Sequence, residues 1–224
     1  MKKAFVSSLR APIYLVGSLW LIHIGAMLIG YNLTRFGVYP RTLEGVKGIF
    51  LSPFIHGSIH HLFSNSVPLF VLMFMILFFY RKVAFSSVML IYLLTGIGVW
   101  AFARPFVFHI GASGVVYGLV SFVFWTGIFR RNLKSIVLAL VVTTLYSGYF
   151  LGLSPYQEGI SWESHLIGGL VGILVAFLFK NSIERDEVKP DPWADQGPPE
   201  YFLPRDAFEK TREERMRDLR DEFL

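Results

Sequence analysis

The chain has 224 residues, 54% of them hydrophobic and only 17% charged, with a mean hydropathy of +0.52. A soluble domain carries about 25% charge and has no interior large enough for this much apolar side chain, so a soluble globular protein is excluded. The 22 Phe, 10 Tyr and 5 Trp exclude disorder for most of the length, and the absence of cysteine excludes disulfides, thiolate metal sites and a cysteine nucleophile.

The net charge of +5 is the balance of two unlike segments. Residues 1–180 hold 13 Lys and Arg against 3 Asp and Glu, whereas residues 181–224 hold 8 against 13. The basic residues of the first segment sit in short loops between apolar runs. That pattern orients a protein in a bilayer, and no nucleic-acid partner is expected from it.

Six apolar stretches are expected to cross a membrane as helices, at 12–31, 61–80, 83–102, 113–129, 133–152 and 164–180. Each runs to about 17–20 residues, roughly 26–30 Å as a helix, which matches the hydrocarbon thickness of a bilayer. Lys2 and Lys3 precede the first run as they would in a signal peptide. The run continues past His23 to Tyr31 without a small-residue cleavage site, so it is expected to be retained. With the N-terminus inside, Lys2, Lys3, Arg10, Arg81, Lys82, Arg130, Arg131, Lys134 and Lys180 are cytoplasmic, while Arg35, Arg41, Lys47 and Arg104 are outside. This asymmetry predicts cytoplasmic N- and C-termini. The aromatic-rich connection 32–60 is too long for a simple linker and is expected to be ordered.

The expected organisation is an all-α, polytopic membrane domain over 1–180 and a charged cytoplasmic tail over 181–224. In the tail a Pro-rich linker, Pro190 to Pro204, precedes a short helix starting near Asp206, with Met216, Leu219 and Phe223 on one side.

Polar residues within spans are expensive and mark functional interiors. On this topology spans two, four and six all descend from the outer side. His61 and Asn65, spaced i and i+4, share a face near the outer end of span two. Span four opens with Gly111-Ala112-Ser113-Gly114, and span six opens with Ser164-His165. Gly114 and Gly118, and Gly168 and Gly172, are small-xxx-small pairs that let two backbones approach closely, so spans four and six are expected to touch.

A serine becomes a useful nucleophile when an adjacent base takes its proton, and histidine suits that role. Ser113 and His165 supply such a pair if their spans meet. Ser113 also lies at a helix N-terminus, where free N–H groups favour developing negative charge. His61 and Asn65 are candidate oxyanion donors. Before the tail the only carboxylates are Glu44, Glu158 and Glu163, and Glu163 lies two residues from His165, on the wrong face. A Ser-His dyad is therefore expected rather than a triad.

These residues resemble the rhomboid intramembrane serine proteases over about residues 10–180. His61-Leu-Phe-Ser-Asn65 resembles the family's HxxxN, and Gly111-Ala-Ser113-Gly114, continued by Val-Val-Tyr117-Gly118, resembles GxSG. Ser164-His165-Leu-Ile-Gly168-Gly-Leu-Val-Gly172 resembles AHxxGxxxG with Ser in place of Ala, a change expected to leave the base unaffected. The resemblance implies a six-transmembrane-helix bundle with Ser113 as nucleophile and His165 as general base. His61, Asn65 and the Ser113 N–H would stabilise the oxyanion, and Tyr117 would stack on the His165 ring. His56 would be a structural residue of a half-submerged first loop, and Gly111 would shape the turn before Ser113. Substrates would be other membrane proteins, cut in or near a transmembrane segment after local unwinding. Neither a cofactor nor a metal is implied. The compact six-span core fits a prokaryotic plasma membrane.

Two alternatives belong to other classes. A catalytically silent rhomboid-like protein would bind or sort membrane proteins, but such relatives lack the Ser or His present here. A metal transporter is suggested by His56, His60, His61, His109 and His165 at one level, against the lack of carboxylates in the spans. His23 is expected to be a packing residue, His60 and His109 to sit with polar tips in interfacial water, and Trp100 and Arg104 to anchor the interface.

Overall fold

The computed structural model describes residues 2–154, 161–184, 187 and 208–221. The chain divides into two compact units, Met1–Glu184 and Arg185–Leu224. The first contains α1 (Lys2–Leu28), α2 (Val46–Leu51), α3 (Ile59–Phe79), α4 (Ala84–Phe102), α5 (Ser113–Arg130), α6 (Leu133–Tyr146) and α7 (Trp162–Leu178); the second contains α8 (Arg212–Asp221). Among the described residues no strand occurs, and extended pairing is confined to one antiparallel bridge between Val38 and His109. The fold is an all-α polytopic bundle.

Helices α1, α3, α4 and α5 are long and apolar enough to cross a membrane, and α6 and α7 are shorter apolar helices. The six expected spans therefore correspond to six helices, with shifted ends. The first begins at Lys2 instead of residue 12, because Lys2 to Ala11 contains no breaker and simply prolongs the helix. Its end is set by Gly30, whose φ of +64° allows the reversal in which Tyr31 N–H donates to Ala26 O. Ser58 caps α3 by accepting from His61 N–H at 3.1 Å, and Asn132 caps α6 by accepting from Ser135 N–H at 2.8 Å. The fifth span is not one helix over 133–152. It stops at Tyr146 and continues as a 3-10 segment, Ser147–Leu153, whose tighter winding turns its carbonyls out of the α-helical pattern.

In lipid the helices gain nothing from hiding apolar surface from water, so association rests on close packing and interhelical hydrogen bonds. The tightest contact joins α5 and α7 through their glycines. A Cβ on Gly168 would lie 2.0 Å from Gly114 O, and one on Gly172 would lie 2.3 Å from Gly118 O. Ser121 Oγ donates to Gly169 O at 2.7 Å across the same interface. Leu62, Leu72, Ile76, Leu119, Phe122 and Val142 form the fully buried centre of the bundle. Helix α1 packs beside α3, where Trp20 Nε1 donates to Ser66 Oγ at 3.0 Å.

The long first connection is ordered, as expected. It holds two 3-10 turns, Thr34–Phe36 and Ser52–Phe54, around α2. It is fastened to the end of α4: Trp100 Nε1 donates to Thr42 O at 2.9 Å, and Arg41 Nη1 donates to Ala103 O at 3.0 Å. Trp100 is thus an anchor for the loop.

In the second unit, α8 is started by a capping box. Thr211 N–H donates to Glu214 Oε2 at 2.7 Å and Glu214 N–H donates to Thr211 Oγ1 at 3.4 Å. Met216 and Leu219 are exposed. The expected start near Asp206, Phe223 and the Pro190–Pro204 linker lie outside the described residues.

Candidate active site

The glycine contact between α5 and α7 brings the N-terminal ends of both helices together, and with them Ser113 and His165. Ser113 is the first residue of α5, so its backbone N–H has no intrahelical acceptor. Its hydroxyl lies 2.8 Å from His165 Nε2. The other ring nitrogen, His165 Nδ1, lies 2.8 Å from Gly152 O. A carbonyl only accepts, so Nδ1 carries the proton and Nε2 presents a lone pair to the Ser113 hydroxyl, which donates to it. Among the described residues no hydrogen bond joins the His165 ring to a carboxylate. Glu163 instead faces Arg104 Nε at 3.3 Å, and a backbone carbonyl fixes the tautomer.

The 3-10 segment after α6 supplies that carbonyl and a second one. Tyr117 O–H donates to Tyr149 O at 2.6 Å, which fixes the tyrosine ring flat against His165 with centroids 4.1 Å apart and planes 8° apart. Gly152 was not anticipated as a site residue. A Cβ there would lie 2.1 Å from Tyr117 Oη and 3.2 Å from His165 Nδ1, so only glycine lets this carbonyl reach the imidazole. The available signal was a pair of glycines, Gly148 and Gly152, within a run otherwise taken as a span.

His61 and Asn65 lie across the cavity from the dyad on α3. Asn65 is 4% exposed, and its Nδ2 donates to His61 O at 2.9 Å, leaving the second amide hydrogen for another acceptor. The His61 ring occupies the space a side chain at position 111 would need: a Cβ there would lie 2.7 Å from His61 Nε2. Gly111 has φ +103°, so the turn before Ser113 requires glycine for its backbone and also for the histidine beside it. Gly114 lies at the α7 contact, where a Cβ would come 3.0 Å from Ser164 O. Ser113, His165, His61, Asn65, Tyr117 and Gly152 line one cavity of about 740 Å³.

His56 is buried beneath the site, edge-on to His61 at 5.0 Å. Burial, reinforced by His61 and His23, pushes it down to a pKa of about 3, so the ring is neutral. His60 is exposed on the cavity rim and His23 half-buried on α1. The expectation of a water-facing tip for His109 is corrected: it is 3% exposed, with Nδ1 2.6 Å from Ser161 Oγ and Nε2 donating to Arg104 O at 3.3 Å. Its backbone is paired with Val38 in both directions, which draws the ring inwards. Among the described residues no group of three or more His, Asp or Glu side chains is placed to hold a metal ion.

An apolar helical bundle with a serine–histidine pair at the N-terminal ends of two glycine-packed helices defines a multi-pass membrane protein with a buried polar site. The rhomboid domain family model matches residues 44–182, and the chain belongs to the rhomboid family. It is 33% identical over 172 residues to uncharacterized proteins of Mycobacterium bovis and Mycobacterium tuberculosis, covering 73% of this chain and 71% of each relative. An uncharacterized protein of Mycobacterium leprae is 28% identical over 169 residues, covering 71% of this chain and 66% of that one.

Proposed function

We propose that the protein is an intramembrane serine endopeptidase that hydrolyses peptide bonds in or near transmembrane segments of other membrane proteins. The observation that carries this is the Ser113 Oγ to His165 Nε2 separation of 2.8 Å, with the imidazole tautomer set by Gly152 O. Ser113 Oγ attacks the scissile carbonyl while its proton passes to His165 Nε2. The oxyanion so formed accepts from Ser113 N–H, the free hydrogen of Asn65 Nδ2 and His61 Nε2–H. As the intermediate collapses, the C–N bond breaks and the proton moves from Nε2 to the departing amine. Water then attacks the acyl ester with His165 again as base, which regenerates the serine. The flat contact with Tyr117 keeps the imidazole in plane throughout.

The excess of basic residues in the expected inner loops supports cytoplasmic termini, with the catalytic cavity near the outer face of a prokaryotic plasma membrane. On this topology the domain over 1–180 meets substrate and lipid within the bilayer, and the tail over 181–224 stays in the cytoplasm. The test is cleavage of a fluorophore-labelled single-span protein by the purified chain in detergent. Product from wild type and none from His165→Ala supports the assignment; equal cleavage by both refutes it.

A further inference from the structure

Ser164 stands where the rhomboid AHxxGxxxG pattern has Ala. Its hydroxyl is engaged. Ser164 Oγ lies 2.6 Å from Ser161 Oγ, and Ser161 Oγ lies 2.6 Å from His109 Nδ1. The direction of this chain is fixed by its far end. Arg104 O accepts from His109 Nε2–H, so Nδ1 is bare and accepts from the Ser161 hydroxyl, which in turn accepts from Ser164. His109 is itself held by its backbone, which exchanges two hydrogen bonds with Val38, 2.8 and 2.9 Å long, and burial lowers its pKa, favouring the neutral ring.

The other end of the chain is the seat of the base. Ser161 O accepts from Ser164 N–H and from His165 N–H, the first backbone bonds of α7. Ser164 lies against Gly114, the residue after Ser113. The Ser161 side chain makes no capping bond to the helix, so its hydroxyl serves only the link to His109 and Ser164. The line therefore runs from the first loop through His109 to the turn that carries the imidazole.

We propose that His109 is a positioning residue for the general base: through Ser161 and Ser164 it holds the first turn of α7, and with it the His165 ring, in register with Ser113. This rests on the hydrolase assignment above. A misplacement of about 1 Å at a reacting group is enough to slow chemistry by roughly 10²-fold, so a tether that limits smaller excursions affects kcat and leaves substrate binding alone.

Four variants of the full chain in detergent test this, with the same labelled single-span substrate: Ser161→Ala, His109→Leu, His109→Asn and the Ser161→Ala/His109→Leu double. Ser161→Ala and His109→Leu should each lower kcat about tenfold with KM unchanged. Asparagine keeps an acceptor near the Nδ1 position in the shape of leucine, so His109→Asn should recover to within about threefold of wild type. The double variant should be no slower than the slower single, since both cut one line. Wild-type kcat in Ser161→Ala, a change confined to KM, or losses that multiply in the double would overturn the proposal. A wild type that neither cleaves nor reacts with a fluorophosphonate probe would count against the hydrolase assignment instead. Amide exchange at Trp162–His165 then decides the tether: faster exchange in Ser161→Ala supports it, and unchanged protection refutes it.

Discussion

The α5–α7 glycine contact makes the Ser113–His165 geometry depend on a position without functional groups, and Gly168→Ala exposes that dependence. The added methyl would sit 2.0 Å from Gly114 O, 2.9 Å from Gly114 C and 3.3 Å from Gly114 Cα. All three are backbone atoms and cannot swing aside. Non-bonded heavy atoms settle at about 3.5 Å, so the helices must part by roughly 1–1.5 Å. Gly114 follows Ser113, and Gly168 is one helical turn from His165, so the same displacement opens the 2.8 Å hydrogen bond between them to about 4 Å, beyond bonding range. Gly168→Ala should therefore lose about 10²-fold in kcat and about 1–3 kcal/mol in stability. The neighbouring Gly169→Ala is the matched control, because a Cβ there meets nothing within 4 Å, and it should remain within about twofold of wild type. Cleavage of a labelled single-span substrate and unfolding in mixed micelles are measured on all three proteins. Wild-type cleavage by Gly168→Ala, or equal impairment of Gly169→Ala, would refute the reasoning.

Other consequences are more local. On the proposed mechanism Asn65→Ala removes one oxyanion donor and should slow kcat of the folded protein by roughly 10²–10³-fold, as read by the same cleavage assay. His56 is neutral in the fold, with a pKa of about 3 against an ordinary 6.5, so between those values the unfolded chain binds more protons. Its contribution to stability is complete above pH 6.5 and is lost as pH falls towards 3, the loss reaching about 2 kcal/mol by pH 5. Unfolding midpoints at pH 7.5 and 5 should differ less in His56→Phe than in wild type, and an unchanged difference would contradict the assignment. Deletion of residues 190–224 should leave cleavage in detergent within about twofold; an inactive truncation would give the tail a role in the site.

Much of the site was legible in the sequence because its elements are helical and its motifs local. The i, i+4 spacing of His61 and Asn65 already puts them on one face, and the two glycine pairs already imply that α5 and α7 touch. Gly152 was not legible, since its role depends on α6 breaking at Tyr146 into a 3-10 segment within an unbroken apolar run. Hydropathy records that the run is apolar and says nothing of where its carbonyls turn. His109 was misjudged for a related reason. A histidine in an outer loop reads as water-facing unless the bridge to Val38, more than 70 positions earlier in the chain, is known. The end of the first helix moved for a local reason that Gly30 explains afterwards, whereas Asn132 caps α6 at the expected start, Leu133.

The most direct measurement is the rate of Ser113 modification by a fluorophosphonate probe together with cleavage of a labelled single-span substrate, on wild type, Ser113→Ala and His165→Ala in the same detergent. A serine activated by His165 predicts labelled, active wild type and variants that are folded, unlabelled and inactive. Cleavage that survives Ser113→Ala, or a folded wild type that neither labels nor cleaves, would contradict it.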